Sequence, residues 1–160
     1  MSIVFKNGDM FSSTANVLCH QVNCMGRMGS GIAKTVREKF PNVYEAYMMM
    51  CHSDGATPDN LLGSVLFVKC NTQIIANLFA QRNYGYDGKQ YTSYDAFREC
   101  LRHIRENVPT GSSIAFPNGI GCGLGGAKWE VIVAMIQEEL GNDYEIEVWK
   151  YTRYEREVKK

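Results

Sequence analysis

Two glycine-rich loops, each set between a β-prone run and an amphipathic helix, constrain this 160-residue chain more than any other feature. The first, NCMGRMGSGIAK, follows the run Asn16 to Val22 and opens a helical pattern near Ser30. The second, GIGCGLGGAKWE, follows Ser112 to Pro117 and opens another helix. Glycine lets the main chain take positive φ and approach a ligand closely. The first N–H groups of a helix have no intrahelical acceptor, so a helix start behind such a loop suits an anion, phosphate above all. Tight turns alone are the plainer explanation of either loop taken singly. Both loops at the carboxyl edge of one sheet point instead to a ligand with two phosphates, or with a phosphate and a sugar.

Residues 121–126, GCGLGG, also match G-x-G-x-x-G. Topology argues against a Rossmann unit, which opens a βαβ series; here one helix and one strand remain. Neither loop reads G-x-x-x-x-G-K-[ST], which sets aside a P-loop.

The rest of the chain alternates strands and helices. Ser2 to Phe5 is β-prone. Ser30 to Phe40 carries Ile32, Ala33, Val36 and Phe40 on one helical face, and Pro41 can open the next helix, with Val43, Tyr44, Tyr47, Met48 and Cys51 together. CHSDGATPDN reads as a loop. Ser64 to Cys70 and Gln73 to Phe79 are separated by a connection too short for a parallel crossover, so they form an antiparallel hairpin. After a glycine- and tyrosine-rich stretch, Thr92 and Asp95 have capping-box spacing ahead of Tyr94, Phe97, Leu101, Ile104 and Val108. Ala127 to Leu140 is a helix with Trp129, Ile132, Val133, Ile136 and Leu140 inward, and Glu145 to Lys150 is the last strand. The expectation is an α/β fold, a three-layer α/β/α sandwich with a mixed central sheet. Residues 1–150 form one domain, and 151–160 a charged tail.

Seventeen basic residues balance seventeen acidic ones, which gives no general support for binding nucleic acid or an anionic membrane. The run Arg27, Lys34, Arg37 and Lys39 is interrupted by Glu38 and matches an ordinary solvated helix face. No apolar run is long enough for a membrane helix, and the N-terminus lacks signal-peptide features. The six cysteines (Cys19, Cys24, Cys51, Cys70, Cys100, Cys122) are scattered and unaccompanied by histidine clusters. They read as buried thiols of a reducing cytoplasm rather than as metal ligands or disulfides.

Gly8-Asp9-Met10 after the first strand, His20-Gln21-Val22-Asn23 leading into the first loop, and Gly121 to Gly126 resemble, in order and spacing, the macrodomain family. They lie closest to its branch of ADP-ribose-1''-phosphate phosphatases and terminal ADP-ribose hydrolases. The resemblance spans Ile3 to Trp149 and implies ADP-ribose or ADP-ribose-1''-phosphate as ligand, with no cofactor and no metal. It implies that Asp9, with Met10 beside it, accepts from the adenine amino group, and that Asn23 holds hydroxyls of the distal ribose. Main-chain amides of Gly29, Ser30, Gly31 and Ile32, and of Gly121, Cys122, Gly123, Leu124 and Gly125, would cradle the diphosphate. One of Tyr84, Tyr86 and Tyr151 would stack on adenine or cap the distal ribose. Outside the pattern, Asp9 is as readily a turn cap and Asn23 a loop-bridging amide.

The lysine on which de-ADP-ribosylating relatives rely would fall at Gln81, and the second-loop aspartate at a glycine. Glutamine forms no Schiff base and glycine supplies no acid–base group, so that chemistry is disfavoured. Phosphatase action on ADP-ribose-1''-phosphate stays open, with His20 as the candidate base. The alternative for His20 is a hydrogen-bonded core residue. Two further functions stand beside it: a non-catalytic ADP-ribose reader, and a hydrolase of O-acetyl-ADP-ribose or of ADP-ribosylated macromolecules.

Overall fold

The structure, a computed structural model, describes residues 3–151; the remainder of the expected charged tail lies outside them. Six strands, β1 (Val4–Asn7), β2 (Val17–Asn23), β3 (Val65–Cys70), β4 (Gln73–Gln81), β5 (Ser113–Pro117) and β6 (Glu145–Lys150), form one sheet of order β1-β6-β5-β2-β4-β3. β3 pairs antiparallel with β4, and every other pairing is parallel. The sheet is therefore mixed, and its one reversed strand is the hairpin that the short Asn71–Thr72 connection requires. Asn71 takes φ 56° to make that turn.

Helices cover both faces. α4 (Tyr94–Asn107) and α5 (Trp129–Leu140) pack on one, where Phe97, Leu101, Ile104, Ile132, Ile136 and Leu140 meet Cys19, Leu78 and Phe116. α1 (Gly31–Lys39) and α2 (Pro41–Cys51) cover the other, burying Val36, Val43 and Tyr47 against Leu18, Val22, Ile75 and Phe79. The two sets alternate along β2 and β4, as a period of two demands of strands buried on both faces.

Three local expectations need correcting. The residue that caps α4 is Ser93, whose side chain accepts from the Ala96 amide; Thr92 sits one position too early and is buried, bonding elsewhere. Within 51–60, α2 extends through Cys51, and Thr57 and Asn60 form a reciprocal capping box that opens a short helix, α3 (Pro58–Leu61). On α5, Met135 is buried where Val133 is only partly so, because the helix faces the sheet through its 132, 135 and 136 positions.

The order places the carboxyl ends of β1, β6, β5, β2 and β4 along a single edge. Asp9, Tyr151, the Gly119 to Gly126 loop, Asn23 and Gln81 follow or end those strands, so the topology brings all of them to one cleft.

Candidate ligand cleft

Three adjoining cavities of about 320, 260 and 230 Å³ run along this edge. The first is lined by Asp9, Phe11, Trp149 and Tyr151, with Ile32 and Asn118 at its inner end. The second lies between the two glycine loops, over His20 and Gln21. The third is walled by Asn23, Arg27, Gln81, Tyr84 and Tyr86. Shared residues join each chamber to the next: Ile32 and Asn118 between the first two, Gln21, Ser30 and Leu124 between the last two. Sites of this combined extent hold whole small molecules rather than single ions.

In the first chamber, Asp9 caps a single 3-10 turn over Met10–Ser12 by accepting from the Phe11 amide through Oδ1 at 2.9 Å. The turn-capping role is thus real, it engages Oδ1, and Asp9 lines the chamber. Met10 is buried behind it and holds the turn against the core.

In the middle chamber, α1 begins at Gly31 with Ser30 in the N-cap position, yet the Ser30 side chain makes no capping bond. Its hydroxyl instead shares a 2.7 Å hydrogen bond with that of Tyr86. The first amides of α1 therefore open onto the cavity beside Gly29, Ser30 and Ile32, where the helix dipole adds positive potential. In the opposing loop the amides of Gly123, Leu124 and Gly125 have no hydrogen-bond partner among the described residues. A side chain built at Gly29, Gly31 or Gly123 would meet nothing within 4 Å, so these glycines border open space. Burial raises the Cys122 thiol above its ordinary value, and its Sγ hydrogen points to the Ile120 carbonyl, so it offers no thiolate.

His20 is 1% exposed. Asn77, its cross-strand neighbour on β4, donates through Nδ2 to the Leu66 carbonyl at 2.9 Å, which turns Oδ1 toward His20 Nε2. The network so assigns the hydrogen to Nε2 and leaves Nδ1 as an acceptor without a partner among the described residues. Burial lowers the imidazole pKa to about 4, against a smaller opposing effect of the Asn77 bond, and His20 is neutral at physiological pH.

In the third chamber, Asn23 is 8% exposed and closes the first loop on itself. Its Oδ1 accepts from the amides of Met25 (3.0 Å) and Arg27 (3.4 Å), and its Nδ2 donates to the Arg27 carbonyl at 2.8 Å. One Nδ2 hydrogen is left over for a ligand. Gln81 occupies the end of β4, as its sequence position indicates, accepting from Gln21 and donating to the Asn83 carbonyl. Tyr86 is 72% exposed and reaches over the chamber to Ser30. Of the three candidate tyrosines, Tyr84 and Tyr86 border the third chamber and Tyr151 the first.

Sequence reasoning passed over two residues that shape this cleft. Tyr47, grouped with the core of α2, sends its hydroxyl into the first loop. Thr92 joins the Tyr84 to Tyr91 stretch to the second loop: its Oγ1 donates to the Gly121 carbonyl at 2.8 Å and its amide to the Gly125 carbonyl at 2.9 Å. The only trace of the latter in the sequence is a threonine one position too early to be the helix cap.

The model of the Macro domain matches residues 19–136. Over 96 residues the chain is 34% identical to an ADP-ribose 1''-phosphate phosphatase of Meyerozyma guilliermondii, a match covering 58% of this chain and 54% of that protein. Over 147 residues it is 25% identical to a DNA ADP-ribosyl glycohydrolase of Thermus aquaticus, covering 92% of this chain and 40% of the other. The chain thus spans about half the length of the first of these curated relatives and less of the second. A solved protein of unknown function from Bacteroides thetaiotaomicron superimposes with a TM-score of 0.77 at 30% identity, over 94% of this chain and 98% of that one. With most of its length under the family model and the same fold in a relative of nearly full coverage, the chain belongs to the Macro domain family.

Proposed function

We propose that residues 1–150 form one domain that binds ADP-ribose or a close derivative along the three chambers, and that it hydrolyses the phosphate of ADP-ribose-1''-phosphate. The observation that carries the binding is the middle chamber: unpaired amides of one loop face an uncapped helix start across it, a preorganised cradle for a diphosphate. Asp9 beyond one end offers an acceptor for an adenine amino group, and the Asn23 chamber at the other end suits a sugar. The phosphatase relative supports the choice of substrate.

In this reading the substrate's terminal phosphate lies against the open amides of the second loop, Gly123 to Gly125 (the Cys122 amide, expected to join them, is spent on the Gly119 carbonyl), which stabilise charge as the P–O bond to the sugar breaks. His20, whose Nδ1 is buried in the described structure, must open to the cleft to take a proton from the attacking water and pass it on to the departing sugar oxygen. With Gln81 at the end of β4, no lysine is available there to form a Schiff base.

A second reading, a reader that binds without turnover, is favoured by the burial of His20 and its tie to Asn77. Incubation with ADP-ribose-1''-phosphate and a phosphate assay separate the two. Phosphate release that falls sharply in His20→Ala, with ADP-ribose binding retained, supports the phosphatase. Binding with no release supports the reader.

A further inference from the structure

Away from the cleft, β1 is an edge strand that no other described element covers. All four of its residues are exposed, Val4 at 53% and Phe5 at 60%, so apolar side chains stand open on both of its faces. The opposite edge is built differently. β3 is flanked by α2 and α4, and of its residues only Lys69, a charge that discourages strand addition, is exposed. The one charge on β1, Lys6, gives no such protection, because its Nζ folds back to Glu147 at 3.7 Å and over the Trp149 ring of the neighbouring strand.

The direction of the main-chain groups follows from one bond: the Gly8 amide donates to the Lys150 carbonyl on β6. In a parallel pair alternate residues turn their groups to the same neighbour. Lys6 and Val4 therefore also bond to β6, and the N–H and C=O of Ile3, Phe5 and Asn7 face outward. The side chains alternate as well, with Val4 and Lys6 beside Glu147 and Trp149 and with Ile3 and Phe5 on the α5 face. There Ile3 and Phe5 line a shallow groove whose other wall is Trp129, Val133 and Ala134 of α5.

We propose that this edge is a self-association surface, on which two copies of the chain pair β1 to β1, antiparallel, about a two-fold axis at Phe5, joining their sheets into one. The occupant is a second copy because the strand is complementary to itself. An axis normal to the sheet keeps each face continuous, so facing residues must share a face and must both turn their main-chain groups outward. Centring on Phe5 meets both conditions. Phe5 faces the partner's Phe5, Ile3 faces the partner's Asn7, and each pair exchanges N–H···O=C bonds in both directions. Centring on Val4 or Lys6 leaves one of the three outward residues without a counterpart in the strand, and centring on Lys6 also sets two ammonium groups face to face. In the Phe5 register the two grooves merge over the seam, and the Phe5 rings fill the space between the α5 helices. The two clefts, at the carboxyl ends of sheets running in opposite directions, stay open.

Sedimentation velocity and amide hydrogen exchange on the wild-type protein test this. The interface is small, so association is weak: the mass is expected to climb from 18.1 kDa toward twice that value as concentration rises to about 1 mM. Over the same range the amides of Phe5 and Asn7 gain protection, while those of Val4 and Lys6, bonded to β6, are protected throughout. Phe5→Lys removes the aromatic contact and sets like charges across the axis, so it should weaken association at least about tenfold while keeping the thermal midpoint. A single 18.1 kDa species at every concentration would overturn the proposal. So would a dimer in which the Phe5 amide exchanges freely, which would assign association to another face, and so would undiminished association of Phe5→Lys. Protection of Phe5 that does not depend on concentration would mean that the chain's own residues cover the edge, and would also overturn it. If Phe5→Lys does not fold, the exchange pattern of the wild type decides alone.

Discussion

The hydroxyl of Tyr47, on α2, donates to the main-chain oxygen of Asn23 at 2.7 Å and lies 3.0 Å from the Oδ1 of the same residue. The Arg27 amide in turn donates to Tyr47 Oη at 3.1 Å. One core side chain thus pins the first turn of the glycine loop, from Asn23 to Arg27, and burial raises its phenol well above the ordinary value, so it acts as a neutral donor. Tyr47→Phe leaves the Asn23 carbonyl and the Arg27 amide without this partner. The expected cost is about 1–3 kcal/mol of stability, read by urea denaturation, together with weaker ADP-ribose binding. Unchanged stability would show that the loop holds its shape without the hydroxyl.

How much of this was legible in advance follows from the reach of each interaction. The two loops, the helices behind them and the β3–β4 hairpin rest on neighbouring residues, and the sequence patterns locate them. Asp9, Asn23 and Gln81 fall at one sheet edge because each ends or follows a parallel strand. The links that tie the cleft together were not legible. Gln21 reaches Thr92 across 71 positions and His20 reaches Asn77 across 57, through pairings that no local period encodes. A faint signal existed for Asn77: it is a lone polar residue inside the apolar run IIANLFA, where a buried amide needs a partner. The strand order, with β6 inserted between β1 and β5, likewise depends on long-range packing.

Burial of neutral His20 makes stability depend on pH with a definite sign. The folded pKa, about 4, lies below the unfolded value of 6.5, so between them the unfolded chain binds the extra proton. Stability is unaffected by this group above about pH 6.5 and falls as pH drops toward 4. The gap between 6.5 and about 4, at about 1.4 kcal/mol per pH unit, amounts to roughly 3 kcal/mol. Denaturation midpoints from pH 7 to 4 should fall in the wild type and fall less steeply in His20→Gln. If His20 is the base, phosphate release holds across neutral pH and declines only as pH approaches about 4. A decline centred near the ordinary histidine value would contradict its burial.

Gly121 and Gly123 stand two positions apart in the second loop and should respond differently to alanine. Gly121 has φ +77°, and a Cβ there would lie 2.9 Å from Gln21 Oε1 and 3.2 Å from Thr92 Oγ1. Gly121→Ala is expected to lose about 1–3 kcal/mol of stability through backbone strain and overpacking. Gly123 has no positive φ, and a Cβ there meets nothing within 4 Å. Gly123→Ala should keep its thermal midpoint but weaken ADP-ribose binding, because the added methyl enters the cleft. Thermal melts and titrations of both variants check the contrast.

Asp9 has one duty in the structure, the cap, and one under the proposed function, the adenine contact, and substitution can separate them. Asp9→Asn keeps a side-chain oxygen for the Phe11 amide and removes the charge; Asp9→Ala removes both. Binding of ADP-ribose should weaken about tenfold in Asp9→Asn, with little change in stability. Asp9→Ala should add a capping loss of about 0.5–2 kcal/mol. Full retention of binding in Asp9→Ala would remove Asp9 from the ligand's adenine end.

Calorimetric titration of the wild-type protein with ADP-ribose tests the central claim most directly. The two facing sets of open amides, with Asp9 at one end of the cleft and the Asn23 chamber at the other, predict saturable binding of one ADP-ribose per chain, tighter than that of ADP. Absence of binding would contradict the account, and the glycine loops would then have to serve a different ligand.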